Sequence, residues 1–215
     1  DEIGHMLKEK YPDIVYCIDT VSSAAGVPIN VDDWGVDIAI TSSQKCLALP
    51  PGMAVCTFSQ KAVDRARTVE NRGYYLDLLS LYDTIQKKDY QYPSTPSLSH
   101  MFAMDYQLDY ILNTEGLENR FARHERMACL VREWAKEYFD IFPEEKYASN
   151  TVTCVKNTGN IDVSKLRHAL NERGLEISDG YGSLKGKTFR IAHMGDLTEE
   201  DIKELLENIN DILGL

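Results

Sequence analysis

The sequence contains no apolar run long enough to span a bilayer. The stretch Asp1-Glu2-Ile3-Gly4-His5-Met6 has no signal-peptide character. No basic block relieves a formal net charge of -11, which argues against nucleic acid or an anionic membrane surface as the main partner. The cysteines number five and none form a Cys-x-x-Cys pair, so reduced thiols in a cytoplasmic protein are expected rather than disulfides or zinc. There are no internal repeats, no low-complexity segments, no metal-spaced cluster, no Ser/His/Asp constellation and no glycine-rich phosphate loop.

What is present is an ordinary globular composition, 43% hydrophobic and 27% charged, over 215 residues, enough for one large domain or two small ones. The stretch from Val36 to Phe58 organises the rest. It reads as a strand over Val36–Thr41, a polar turn and a second strand over Met53–Phe58, with Lys45 in the turn after Ser42-Ser43-Gln44. A lysine at the mouth of two buried strands is pushed towards its neutral, nucleophilic form, whose commonest use is a Schiff base with an aldehyde. Upstream, the apolar run Val15-Tyr16-Cys17-Ile18 delivers Asp19 at its C-terminal end. Open α/β sheets bind ligands at the carboxyl ends of their strands. An acid and a lysine ending neighbouring strands are the pair that pyridoxal phosphate (PLP) needs, one for its pyridinium nitrogen and one for its aldehyde.

The motifs Asp19-Thr20-Val21-Ser22-Ser23, Asp32-Asp33-Trp34-Gly35-Val36-Asp37, Ser43-Gln44-Lys45 and Pro50-Pro51-Gly52 together resemble the class V, fold-type I PLP-dependent aminotransferases. The branch they are most similar to is that of the alanine–glyoxylate and serine–pyruvate enzymes. The resemblance implies PLP held by Lys45, with the freed amine then shuttling a proton between substrate and cofactor. It implies Asp19 on the ring nitrogen, where a simple strand-end cap is the alternative. It also implies Val21 against a ring face, where a core valine is the alternative. Gln44 is implied as a phosphate contact. Tyr92 and Thr95 are implied to reach the phosphate of the neighbouring subunit, so that a homodimer shares its active sites. Pro93 stands where the family often has histidine, a departure from the pattern beside Tyr92. Arg190, inside the apolar Thr188-Phe189-Arg190-Ile191-Ala192, reads as a buried arginine that needs an anion, either a substrate α-carboxylate or a structural acid. Met194-Gly195 just beyond it also agrees with the family pattern.

Taken in order, Glu2–Lys10 reads as the end of a helix stopped by Tyr11-Pro12. The resemblance implies a long N-terminal half before this point that carries the phosphate loop and a stacking aromatic, so the chain is expected to be the C-terminal portion of a longer enzyme. Residues 1–112 are expected to complete the PLP-binding large domain, with a mostly parallel but incomplete sheet, and 113–215 to form a small α+β domain. A helix over Gln60–Arg67 begins at a Ser59 cap. The leucine- and tyrosine-rich 73–89 stretch is either a core helix or a surface covered by a partner, and 90–97 is a proline-marked loop. Helices follow over 98–112 and from Leu117, the second with Leu117, Phe121, His124, Ala128, Val131, Ala135 and Tyr138 on one stripe and His124 as packed structure rather than ligand. Strands are expected at Thr151–Val155, Leu175–Ser178 and Thr188–Ala192, and helices capped by Asp162 and by a Thr198/Asp201 box.

These readings converge on an aminotransferase that moves an amino group from alanine or serine to glyoxylate or pyruvate. The alternatives are another enzyme of the class and a non-catalytic fragment or dimerisation module. Phosphonate transaminases usually carry Asn, and desulfurases His, before the lysine, so Gln44 speaks against both. On this reading the 215 residues alone are expected to bind PLP weakly.

Overall fold

A computed structural model describes residues 1–87, 89 and 91–215. Lys88 and Tyr90, one in the leucine- and tyrosine-rich stretch and one at the head of the proline-marked loop, lie outside the described residues. The chain divides into two compact units: residues 1–21, 29–44 and 49–106, and residues 22–28, 45–48 and 107–215. No helix among the described residues is long and apolar enough to cross a membrane.

The first unit opens with helix α1 (Glu2–Lys10), capped by the Asp1 side chain. Its sheet has the order β1 (Cys17–Asp19), β2 (Ile38–Ser42), β3 (Ala54–Phe58), with β1 parallel and β3 antiparallel to β2. Asp19 is the last residue of β1 and stands opposite Ile40. Helix α2 (Gln60–Arg67) starts at Ser59, whose hydroxyl accepts from the Ala62 N–H. Helix α3 (Leu78–Ile85) follows, and α4 (Leu98–Asp109) carries the boundary between the units. Asp37 clips this unit together: its carboxylate accepts from the Ser59 hydroxyl at 2.6 Å and the Tyr16 N–H at 2.9 Å, and pairs with Lys61 at 2.9 Å. Burial alone would raise its pKa; these donors bring it below the usual carboxylate value.

β2, read from the sequence as one of two buried strands, is only partly buried. Ala39 and Thr41 are buried, but Ile40 is 43% exposed. Ala62, Val63, Ala66, Leu78 and Leu79 line a crevice with Ile38 and Phe58, so the α2–α3 layer stops short of Ile40. Cys17, in the apolar run that leads to Asp19, is exposed on β1, an edge strand of this sheet. All five cysteines are free.

The second unit is a four-stranded antiparallel sheet of order β4 (Asp140–Ile141), β5 (Val152–Lys156), β7 (Thr188–Ala192), β6 (Ser178–Asp179). It packs on the long helix α5 (Leu117–Tyr138), α6 (Val163–Glu172) and α7 (Glu199–Leu213). Period-2 alternation places Phe189 and Ile191 in a core with Met127, Val131, Trp134 and Ile209, and turns Arg190 to the other face. Asp162 caps α6, and Thr198 with Asp201 forms a complete capping box on α7. β6 lies further along than expected. The Leu175 N–H closes the end of α6 on the Leu170 carbonyl, and the Ile177 carbonyl accepts from Arg167, so neither joins the ladder.

Between α4 and α5 the chain forms a π-helical turn over Tyr110–Glu115, ended by Gly116 at φ +81°. Such wide turns often mark functional sites. The stripe buried on α5 is Arg120, His124, Met127, Ala128, Val131, Trp134 and Ala135. Leu117, expected on that stripe, is 39% exposed. The stripe is rotated because a fully buried arginine, rather than an apolar side chain, occupies its first turn.

Candidate active site

In the first unit the candidate residues sit at the C-terminal edge of the β1–β2 pair. Asp19 is exposed, and its Oδ1 accepts the Val21 N–H at 2.8 Å. That bond is a strand-end cap, yet it uses only one carboxylate oxygen. Val21 is half-buried and Gln44 exposed. Thr20 anchors the edge by donating both its N–H and its hydroxyl to the Ile40 carbonyl. At the end of β2 the hydroxyls of Thr41 and Ser42 are buried with no hydrogen-bond partner among the described residues. Buried polar atoms are rarely left unpaired without a reason. Tyr92 and Thr95 are exposed on the loop before α4. The next turn is tied down by His100, which bonds the Ser97 hydroxyl at 2.8 Å and the Pro51 carbonyl at 3.2 Å.

In the second unit the half-buried Lys45 lies in the short segment 45–48. No ion pair among the described residues engages Lys45 or Arg190. The following residue, Cys46, is buried; burial pushes its thiol up to about 11, and the thiol donates to the Ser22 carbonyl at 3.3 Å. It is an inert core thiol.

Arg120, which has no exposed surface, organises this region. Its guanidinium donates to the Cys46 carbonyl at 2.6 Å and the Ala25 carbonyl at 3.1 Å. It also pairs with Glu115 at 2.6 Å and Asp196 at 3.0 Å. The π-helical turn brings Glu115 back to meet it, and Gln107 supports Asp196 from the end of α4. Both segments that Arg120 holds contain an alanine at positive φ, Ala25 at 70° and Ala48 at 56°. Such strained backbone persists only where its surroundings over-determine it.

The loop after β7 closes on the same place. Gly195, at φ +75°, donates its N–H to Nε2 of the fully buried His124 at 3.1 Å. A Cβ at Gly195 would lie 3.2 Å from both the Lys45 carbonyl oxygen and Ala48 Cβ, so glycine permits this approach. Burial holds His124 below the usual histidine pKa, consistent with a neutral ring whose Nδ1 donates to the Arg120 carbonyl. Arg123 adds donors to the carbonyls of Gly195 and Leu197.

Arg190 itself is half-buried rather than buried. Its Nε donates to the Asp179 carbonyl at 3.0 Å, and its Cζ lies 3.8 Å from the centre of the Tyr181 ring. The Tyr181 phenol is held below the usual tyrosine pKa, first by Arg190 and also by the charge of Lys45. Lys45 and Arg190 therefore share one electrostatic neighbourhood in this unit. The parts played by Arg120 and Tyr181 escape a reading of the sequence. The one available signal for Arg120 is the spacing Arg120–His124–Met127–Val131, which continues the buried stripe through a charged residue.

The family described as aminotransferase class-V matches residues 1–205. An uncharacterized aminotransferase of Methanocaldococcus jannaschii is 41% identical over 94% of this chain and 52% of its own length. The serine–glyoxylate aminotransferase of Arabidopsis thaliana is 34% identical over 95% of this chain and 51% of its own length. Among solved structures, the alanine–glyoxylate aminotransferase from Nostoc superposes with a TM-score of 0.89 at 28% identity, covering 99% of this chain and 57% of that one. The chain thus spans about half the length of the curated relatives it matches. The expected α/β architecture of the PLP aminotransferases is the fold it has.

Proposed function

The chain belongs to the class-V aminotransferases, and from that premise we propose that it carries the lysine, the ring-nitrogen acid and the carboxylate clamp of a PLP-dependent transaminase. The observation that carries this reading is the closure of the loop after β7 on the Lys45 segment. Gly195, just beyond the strand that bears Arg190, approaches so closely that a Cβ there would lie 3.2 Å from the Lys45 carbonyl oxygen.

The residues present fit PLP. Asp19 keeps one oxygen uncommitted by its cap, and the Thr41 and Ser42 hydroxyls at the end of β2 are buried without partners among the described residues. When bound, PLP supplies an aldehyde that condenses with amines and a ring that withdraws electrons. Lys45 holds it and then, as a free amine, takes the proton from the substrate Cα and gives it up again as the amino group moves. Asp19 keeps the ring nitrogen protonated. Val21 packs on the ring, and Gln44 holds the phosphate together with Tyr92 and Thr95 of a two-fold mate. Arg190 offers its Nη edge to the α-carboxylate, a bidentate match that lysine would not make.

The amino donor is alanine or serine and the acceptor glyoxylate or pyruvate. The names of the Arabidopsis and Nostoc proteins support this choice. Five free cysteines support a reducing, cytoplasmic setting. The test is an assay of the complete protein with PLP, alanine or serine, and glyoxylate or pyruvate. Product formed with one of these pairs is expected. No amino transfer with any pair, from protein that retains PLP, overturns the substrate assignment.

A further inference from the structure

Tyr181 has no role in the amino transfer as proposed above. It sits on the loop after β6, and that loop is rigidly built. Asp179 Oδ1 accepts from the N–H groups of Gly180 at 2.7 Å and Gly186 at 2.8 Å, tying its two ends together. A Cβ at Gly180 would lie 2.3 Å from the Leu184 carbonyl oxygen and 2.4 Å from Thr188 Oγ1, so only glycine fits there. The Leu184 N–H returns to the Tyr181 carbonyl at 2.9 Å. The backbone is thus fixed while the side chain stands 74% exposed.

The ring packs against the Arg190 guanidinium, with Cζ 3.8 Å from its centre. The Nε edge of the same guanidinium is taken by the Asp179 carbonyl at 3.0 Å. One face and one edge are therefore engaged, both by the β6 end and its loop. The Nη edge has no carboxylate partner among the described residues. An arginine is otherwise a long side chain with many rotamers, and ordering it on binding weakens the complex. A stack that orders it beforehand removes that cost.

We propose that Tyr181 is a positioning residue: it stacks on Arg190 and pre-orients the guanidinium so that its Nη edge receives one carboxylate of the amino acid or oxo acid. The proposal rests on the reading of Arg190 as the substrate clamp. With one face and the Nε edge occupied, the fork has room for a single bidentate carboxylate, so this clamp recognises the α-carboxylate and leaves any second acid group on the substrate unmatched here.

The test compares Tyr181→Ala, Tyr181→Phe and Arg190→Ala in the complete PLP-loaded protein. Two readouts are taken: KM and kcat for alanine and glyoxylate, and the Kd of propionate, an unreactive monocarboxylate, from its effect on cofactor absorbance. In Tyr181→Ala, KM for both substrates and the propionate Kd are expected to rise about three- to fivefold, as loss of an exposed cation–π contact implies, with kcat within about twofold. Tyr181→Phe keeps the ring face and is expected to stay within about twofold of wild type on every measure. Values for Tyr181→Ala that match wild type, or a loss in Tyr181→Phe equal to that in Tyr181→Ala, overturn the positioning role. If Arg190→Ala raises KM and Kd in that same experiment, the clamp stands and only the inference about Tyr181 fails. If Arg190→Ala leaves both unchanged, the clamp reading itself has failed.

Discussion

The guanidinium of Arg120 donates to the carbonyl of Cys46 at 2.6 Å, one residue beyond Lys45. A buried arginine satisfied by two carbonyls and two carboxylates is a brace, and here it holds the segment that carries the proposed nucleophile. Arg120→Met would leave the Cys46 and Ala25 carbonyls without this donor and take one of their donors from Glu115 and Asp196, which keep Arg123 and Gln107. It is expected to lower stability by about 3–5 kcal/mol. Arg120→Lys keeps the charge but cannot fork to both carbonyls, and its stability should fall between those of Arg120→Met and wild type. Thermal or denaturant unfolding of the complete proteins measures this; an Arg120→Met protein as stable as wild type would show that the network is not a brace.

Asp19→Asn isolates charge from geometry. Asparagine Oδ1 can still accept the Val21 N–H, so the strand-end cap survives. If the carboxylate keeps the ring nitrogen protonated, kcat should fall by about 10²–10³-fold, the scale of losing one preorganised electrostatic contact. Asp19→Glu should lose less. A kcat for Asp19→Asn close to wild type would leave Asp19 as a cap alone.

His193 makes the stability of its unit depend on pH. It is fully buried, bonded to Thr153 Oγ1 at 2.8 Å and the Asn150 carbonyl at 3.1 Å, and burial lowers its pKa to about 4. The unfolded chain binds this proton near pH 6.5 and the folded chain only near 4, so the stabilising effect is complete above 6.5 and is lost as pH falls towards 4. The full swing is about 3 kcal/mol. Thermal midpoints taken from pH 7 to pH 4 should fall in wild type and fall less in His193→Gln. Equal slopes in the two proteins would assign the acid sensitivity elsewhere.

Local physics was legible in the sequence. Ser59, Asp162 and Thr198 cap the helices they were expected to cap, and Thr188–Ala192 is a strand at those bounds. What failed was decided by side-chain and strand partners that leave no periodic pattern. The helix expected to run to Leu112 widens into a π turn at Tyr110, and the Glu115 at its end meets Arg120 and Arg123. β4 is a two-residue pairing with Val155 and Lys156, too short to carry a periodic signal. In the candidate site, Lys45 and Asp19 are proposed from the sequence because their chemistry is in their residue types. Arg120 is not, because its charge suggests a solvated face, and Tyr181 is not, because a ring stacked on an arginine leaves no pattern along the chain.

The central claim is that Lys45 is the residue that holds the cofactor. The most direct measurement is to load the complete protein with PLP, reduce it with borohydride, digest it and identify the peptide that carries the pyridoxyl group. The expected result is a single labelled peptide containing Lys45, with Lys45→Ala folded, unlabelled and inactive in amino transfer. Labelling of a different lysine, or a Lys45→Ala protein that still transfers amino groups, would contradict the assignment.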